Sequence, residues 1–131
     1  PREMTSSTER IKWIMENTNV PVFGICLGHQ LMALASGLSV KKMHHGHRGI
    51  NQPVFENTSS NCLITTQNHG YEVVIDNEDS ACEITHVNLN DESIEGISYE
   101  QNGHFSVQFH PEACAGTHDA YYLFKDFFDL L

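Results

Sequence analysis

The stretch PVFGICLGHQLMALASG, residues 21–37, predicts the architecture of this chain. From Val20 to Ile25 the sequence is a short apolar run rich in β-branched residues, which is typical of a strand buried on both faces in a parallel sheet. After Cys26 the residues become helix formers, and Gly37 suits the position just after a helix C-terminus. The stretch therefore predicts a buried strand, a sharp turn at Cys26 and a helix.

The turn itself has the pattern G-x-C-x-G, formed by Gly24, Cys26 and Gly28, which is the thiol counterpart of the G-x-S-x-G nucleophile turn. A nucleophile there adopts strained backbone angles, and a flanking glycine has no Cβ to clash with nearby backbone. The turn aims the sulfur at the first amides of the helix. These favour the thiolate and can hold an oxyanion, with the Leu27 N–H as the nearest donor. The alternative is that Cys26 simply packs as a small buried residue.

A second stretch, FSVQFHPEA (residues 105–113), contains partners for a reactive cysteine. Its alternating apolar residues predict a strand over 105–109 that ends at His110. An imidazole can take a proton from a thiol and deliver it to a leaving amine, and a carboxylate can orient the imidazole. Pro111 keeps His110 extended, so His110 and Glu112 can face the same side. Each alone is usually an ordinary polar residue, but together with Cys26 they favour a Cys–His–Glu triad.

The remaining elements surround these two stretches. The Ser6–Glu9 spacing and the apolar residues after it predict an amphipathic helix over 5–17. Asp119 suits a helix N-cap, and a final helix is predicted over 119–131. The strand-like runs between polar or glycine-bearing turns are 38–43, 52–55, 62–66, 71–75, 82–87, 94–99 and 105–109. This order indicates an α/β domain with a mixed sheet.

Composition limits the partners and the compartment. Seven basic and seventeen acidic residues give a formal charge of −10, which argues against nucleic acid or an anionic membrane surface as a partner. No apolar run is long enough to span a membrane, and the four cysteines include no C-x-x-C pair, so a reducing, cytoplasmic setting is expected. The chain starts without Met and without a secretory signal, and we expect it to be a piece of a longer protein.

The stretches PVFGICLGHQ (21–30) and FHPEA (109–113) resemble the class I, or triad, glutamine amidotransferases. Three further stretches are similar to the glutaminase domain of carbamoyl-phosphate synthetases: GHRGINQPV (46–54), QNHGYEV (67–73) and HPEACAGTHDAYYLF (110–124). The resemblance runs from about Val20 to the end. It implies a flavodoxin-like α/β fold with a mixed, mostly parallel sheet flanked by helices. Residues 1–131 would then be the C-terminal portion of a glutaminase domain whose N-terminal part is missing.

The resemblance also implies roles for individual residues. Cys26 would be the nucleophile, His110 the base and Glu112 its orienting carboxylate, with the Leu27 amide in the oxyanion hole. Four further positions would hold the polar ends of L-glutamine: Gln30, Asn68, Gly70 and Tyr71. The implied reaction hydrolyses glutamine through a thioester and needs no cofactor in this domain. The ammonia would pass to an ATP-grasp synthetase region, fused or separate, which uses ATP and Mg²⁺ to make carbamoyl phosphate for pyrimidine or arginine synthesis.

Two departures from the family pattern are visible. The second oxyanion donor of the family comes from an upstream glycine-rich loop that this sequence does not contain, and Ala115-Gly116-Thr117 stands where P-G-P is usual. Two other functions stay open. The chain could be the glutaminase of an anthranilate- or GMP-synthase type of enzyme. It could also be a non-catalytic module that binds a partner, although such a module would be expected to have lost a triad residue.

Nine histidines are present, and HHGH places His44, His45 and His47 close together. A metal site is the obvious hypothesis, but no cysteine or carboxylate lies at ligand spacing, so we predict a solvated loop without metal. His29 follows the cysteine turn and is predicted to be a packed, hydrogen-bonded residue.

Overall fold

The computed structural model describes residues 5–76, 82–99, 103–113 and 122–131. Within these ranges lie helices α1 (Thr5–Asn17), α2 (Leu27–Ala35) and α3 (Tyr122–Leu130), and strands β1 (Phe23–Ile25), β2 (Ser39–Glu56), β3 (Asn61–Val74), β4 (Cys82–Asn88), β5 (Ile94–Tyr99) and β6 (Phe105–Val107). Helix α1 confirms the prediction over 5–17. The predicted last helix is present from Tyr122, while the N-cap predicted at Asp119 lies outside the described residues.

The six strands form one mixed sheet in the order β1-β6-β5-β4-β2-β3. Strands β1 and β6 are parallel, and the other four described pairs are antiparallel. The mixed sheet confirms the prediction, but the expectation of a mostly parallel sheet is wrong for the described strands. The reason is connectivity: pairs such as β2–β3 and β4–β5 are joined by short turns, which reverse the chain, whereas a parallel pair needs a long crossover.

Four of the predicted short strands merge into two long ones. Strand β2 contains both 38–43 (from Ser39) and 52–55, and β3 contains both 62–66 and 71–75 (to Val74). Pairing between β2 and β3 shifts register between Lys42 and His47 and again between Gly49 and Gln52. Such bulges bend a strand without ending it. The segment HHGH is therefore part of β2, which corrects the predicted loop.

Two apolar clusters hold the helices against the sheet. The first joins α1 and α2 to strands β3 and β5, through Met15, Met32, Ala33, Ala35, Leu38, Val73, Ile97 and Tyr99. The second joins α3 to strands β2, β3 and β6, through Val54, Leu63, Val107, Phe109 and Leu123. Their consequence for function is that α2 and the ends of β1 and β6 lie in tightly packed surroundings, which fixes the direction of the cysteine turn.

Candidate functional site

The parallel pairing of β1 with β6 places the cysteine turn beside the His-x-Glu segment. Phe23 pairs with Phe105 and Ile25 with Val107, and the Cys26 N–H donates to the Val107 carbonyl at 2.9 Å. Since parallel strands end at the same edge of a sheet, Cys26 and the residues that follow Val107 share that edge. This register brings together two segments from distant parts of the chain.

Cys26 adopts the strained backbone that the sequence predicts. Its φ is +53° and its ψ is −106°, in a region that non-glycine residues enter at a cost of about 1–3 kcal/mol. A Cβ on Gly24 would lie 2.5 Å from Met32 Sδ and 2.8 Å from the Gly28 carbonyl carbon and oxygen, so this position requires glycine. A Cβ on Gly28 would meet nothing within 4 Å, so the steric reason predicted for both glycines holds for Gly24 alone.

We expect Gly24→Ala to damage the turn more than Gly28→Ala, because the new methyl group at position 24 meets backbone that cannot move aside. The unfolding free energy should fall by about 2 kcal/mol or more, as in other overpacked cores. Gly28→Ala, in open space, is the matched control and should change stability by less than about 1 kcal/mol. Urea unfolding of both variants measures this; equal losses would contradict the steric argument.

The Cys26 thiol is half-buried, and burial is the main influence on its acidity. Burial raises the pKa of the Cys26 thiol. Hydrogen bonds from the Leu27 backbone N–H and from the Gln108 amide, whose Nε2 lies 3.7 Å from Sγ, lower that pKa but do not outweigh burial. The Leu27 amide thus favours the thiolate, as the sequence predicts, but desolvation is the larger effect and the net pKa is raised. A base is needed to remove the proton.

His110 is held as such a base would be. Its Nδ1–H donates to Glu112 Oε1 at 2.8 Å, so the neutral ring carries its lone pair on Nε2. Its backbone N–H donates to the Thr66 carbonyl at 2.9 Å, which ties this segment to β3. The two side chains are 33% and 45% exposed, open enough for a substrate to reach them. Glu112 also acts electrostatically on the Cys26 thiol and raises its pKa.

The residues predicted to bind substrate lie on α2 and β3. Gln30 is buried, and its Nε2 donates to the Tyr71 carbonyl at 3.3 Å, so the structure brings these two together. Asn68 and Gly70 lie on the same strand as Tyr71, and the side chains of Asn68 and Tyr71 are exposed. The glutamine-binding role of these residues stays a prediction.

Gln108 is a site residue that the sequence reasoning missed. Its Nε2 donates to Cys26 Sγ, and its Oε1 accepts from Gln30 Nε2 at 3.1 Å. It links the cysteine to a predicted substrate residue. Its position in the sequence could have indicated this role: Gln108 lies two residues before His110 and directly after β6, the strand that pairs in parallel with β1.

The histidines separate into distinct environments. His44 and His45 are exposed, whereas His47 is buried and faces His69 on β3 and Glu95 on β5. In the described ranges, these last three are the one group with metal-ligand atoms close together, all within 4.8 Å of one another. His29 is fully buried with Nδ1 2.7 Å from Ser106 Oγ, and burial lowers its pKa to about 3, which confirms the predicted packed role.

Burial raises the pKa of Glu95 to about 7, so we expect an effect on stability that depends on pH. The native carboxyl keeps its proton up to about pH 7, while the unfolded one loses it near pH 4.5. The unfolded state therefore binds fewer protons in this window, and Glu95 makes the unfolding free energy fall as pH rises from about 4.5 to 7.

The measurement is urea unfolding at several pH values for the wild type and Glu95→Gln. His69, whose pKa burial lowers to about 4, contributes with the opposite sign in both proteins. Exposed Glu83→Gln is the matched control. A wild-type minus Glu95→Gln difference that does not vary with pH would contradict the prediction.

Residues 1–130 match the family model described as glutamine amidotransferase class-I. The chain belongs to the class-I glutamine amidotransferase family. This amidotransferase chain is 48% identical over 132 residues to the carbamoyl phosphate synthase small chain of Lactococcus lactis subsp. lactis (strain IL1403), and 47% identical to that of Bacillus anthracis. Each alignment covers 100% of this chain, but only 37% and 36% of the relatives. The chain therefore spans little more than a third of their length.

Solved structures confirm the amidotransferase fold. A putative GMP synthase component from Thermoplasma acidophilum superposes with a TM-score of 0.82 at 23% identity, covering 98% of this chain and 66% of the other. A glutamine amidotransferase from Thermotoga maritima gives 0.69 at 22% identity, covering 96% and 55%. At such identities the likeness shows the fold alone. In the part of the amidotransferase chain that the structure describes, no helix is long and apolar enough to cross a membrane.

Proposed function

We propose that this chain is the glutamine-hydrolysing part of a carbamoyl-phosphate synthase small chain, and that it releases ammonia for carbamoyl phosphate synthesis. Identity of 47–48% to small chains over the full length of this chain supports the branch of the family. The observation that carries the chemistry is the pairing of β1 with β6, which ends one strand at Cys26 and continues the other into the His110–Glu112 pair.

The first half-reaction forms a thioester. His110 Nε2 accepts the proton of the Cys26 thiol, which burial keeps protonated at rest, and the sulfur attacks the side-chain amide carbon of glutamine. The Leu27 N–H donates to the oxyanion that develops. The imidazolium, stabilised by Glu112, then gives its proton to the amide nitrogen, the C–N bond breaks, and ammonia leaves.

The second half-reaction hydrolyses the γ-glutamyl thioester. His110 takes a proton from water, and the resulting hydroxide attacks the thioester carbon. The C–S bond breaks, the proton returns to Cys26 sulfur, and glutamate leaves. Each proton moves through one imidazole, so its tautomer must be held throughout, which is the role proposed for Glu112.

Glutamine is proposed to lie between α2 and β3. Gln30 lies beside the Tyr71 carbonyl and Gln108, so the Gln30 amide is at the end of the proposed site next to Cys26. Asn68 and Gly70 would supply an amide side chain and approachable backbone for the α-amino and α-carboxylate groups of glutamine.

The partner in this proposal is an ATP-grasp synthetase region, fused or separate, that combines the ammonia with bicarbonate. ATP and Mg²⁺ belong to that partner, and glutamine hydrolysis by this chain uses no cofactor. We place the protein in the cytoplasm, since a reducing compartment keeps a nucleophilic thiol such as Cys26 reduced.

The test uses the full-length protein that contains this chain, purified with its synthetase partner. Glutamate and carbamoyl phosphate are measured from glutamine, bicarbonate and MgATP, and equal amounts of the two products are expected. Glutamate without carbamoyl phosphate would assign the chain to another amidotransferase branch, such as the anthranilate or GMP type. Absence of glutamate formation would make it a non-catalytic module.

A further inference from the structure

A buried polar network underlies the part of β3 to which glutamine binding is proposed. We define the network as His47 on β2, Gln67 and His69 on β3, Asn88 on β4 and Glu95 on β5; each is at most 7% exposed. It lies on the opposite side of β3 from the exposed Asn68 side chain. The mechanism above uses none of these five side chains.

Both imidazole rings of the network donate outward. His47 Nε2 lies 2.6 Å from Asp91 Oδ2, and His69 Nδ1 lies 2.8 Å from the Tyr71 carbonyl oxygen. A carboxylate and a carbonyl only accept, so each ring uses its N–H there. In the neutral rings, His47 Nδ1 and His69 Nε2 then present lone pairs inward, 3.2 Å apart.

As placed in the structure, Gln67 Oε1 lies between these two lone pairs, 3.1 Å from His47 Nδ1 and 2.8 Å from His69 Nε2, while Nε2 donates to Glu95 Oε2 and, at 3.0 Å, to Thr65 Oγ1. The oxygen and nitrogen of an amide exchange places by a half-turn of the group, so its orientation is assigned from its hydrogen-bond partners.

Two lone pairs need a donor. We therefore assign the Gln67 amide with its NH₂ group towards the rings, where it satisfies both lone pairs. Its carbonyl then faces Glu95 and the Thr65 hydroxyl, which donates to it in place of the Gln52 carbonyl. That carbonyl requires Glu95 to donate, which a carboxylic acid can do and a carboxylate cannot.

Two further observations agree with a neutral Glu95. Its Oε1 is buried without a hydrogen-bond partner among the described residues, which costs much less for an acid than for a carboxylate. Asn88 Nδ2 lies 3.2 Å from Oε2, where it can donate to either form. Separately, burial raises the pKa of this carboxyl.

The network reaches the active site through the Tyr71 carbonyl. That oxygen accepts from His69 Nδ1 and also from Gln30 Nε2, and Gln30 in turn bonds Gln108, which contacts Cys26 Sγ. The network holds Gln67 and His69 on the buried side of β3. Asn68, between them, and Gly70, directly after His69, are thereby held in place as well. The position of the whole segment 67–71 therefore depends on residues from β2 and β5.

We propose that Glu95, acting as a carboxylic acid, and His47 are positioning residues that hold segment 67–71 in its glutamine-binding geometry. This rests on the proposed glutaminase function. The structural consequence is specific: an amide at position 95 can still donate to the Gln67 carbonyl, although its nitrogen cannot also accept from Asn88, whereas an apolar side chain of similar size does neither.

The test compares Glu95→Gln with Glu95→Leu in the full-length protein. We expect Glu95→Gln to keep the KM for glutamine within about threefold of wild type, and Glu95→Leu to raise it about tenfold or more, as expected when buried amides lose a partner. In both variants kcat should stay within about threefold, because the triad is not altered. The rate of Cys26 alkylation without glutamine should be the same in both variants as in wild type. A higher glutamine concentration should be needed to protect Cys26 from alkylation in Glu95→Leu than in wild type.

A second pair of variants avoids the buried core in case Glu95→Leu fails to fold. Asp91 is 41% exposed and orients His47, so Asp91→Ala should raise the KM for glutamine about fivefold or more with kcat unchanged. Asp76→Ala is the matched control: Asp76 is 54% exposed and also hydrogen-bonded, to Ser39, but lies away from the network. It should leave the KM unchanged.

Three results would overturn the proposal. Glu95→Leu or Asp91→Ala with a wild-type KM would show that the network does not position the segment. Glu95→Gln as damaging as Glu95→Leu would show that a carboxylate is required. One divalent metal ion per chain, or a KM raised by a chelator, would show that the inward lone pairs of His47 and His69 ligate metal instead. A wild type that forms no glutamate would fail the proposed function itself, which distinguishes the two failures.

Discussion

Cys26→Ala is expected to lower kcat for glutamine hydrolysis by about 10³-fold or more, because the thioester intermediate can no longer form. The measurement is glutamate formation by the full-length protein. Glutamine binding should persist, since the proposed contacts of Gln30 and segment 67–71 do not involve the sulfur. Calorimetry should therefore show a similar affinity for glutamine in the inactive variant.

A second substitution at the same position tests the strained turn. Cys26→Gly should be equally inactive but more stable than Cys26→Ala by about 1 kcal/mol, because glycine accepts a φ of +53° without a Cβ penalty. Cys62→Ala, which removes an exposed free cysteine, is the matched control and should keep full activity. Equal ammonia release by Cys26→Ala and wild type would refute the nucleophile assignment.

His110→Asn is expected to lower kcat by about 10³-fold, since the Cys26 thiol would have no base and the leaving nitrogen no acid. Glu112→Gln should lower kcat about 10²-fold, because it disturbs the tautomer of His110 and destabilises the imidazolium without removing the base. As Glu112 acts through His110, the double variant should be no slower than His110→Asn.

Two observations accompany this pair. Because burial raises the pKa of the Cys26 thiol, iodoacetamide should alkylate Cys26 faster as pH rises through the alkaline range, both in wild type and in His110→Asn. His45→Asn, an exposed histidine on β2, is the control and should retain activity. Additive losses in the double variant would mean that Glu112 does not work through the imidazole.

Local sequence was sufficient where the physical causes are local. A short apolar run followed by helix formers predicts β1, the turn and α2. The strained φ at Cys26 follows because the chain changes from strand to helix at that single residue. The apolar spacing over 5–17 likewise predicts α1. The residue types of the candidate site were predictable too, because a thiol, an imidazole and a carboxylate are the groups that this chemistry needs.

Strand lengths and pairing were not predictable in the same way. Polar and glycine-bearing segments within β2 and β3 are typical of turns, yet bulges carry both strands through them. The balance that sets the Cys26 pKa was not predictable either, since the turn amides that lower it are visible in the sequence but the burial that outweighs them is not.

The sequence by itself determined the cysteine turn, the His-x-Glu segment and the family to which the chain belongs, because these depend on residue types at short spacing. Only the tertiary structure decided that Gln108 touches the sulfur and that His47, among three clustered histidines, turns inward towards Glu95. Such contacts depend on the register between strands distant in sequence. That register is set by how all the side chains pack at once, and no short stretch contains it.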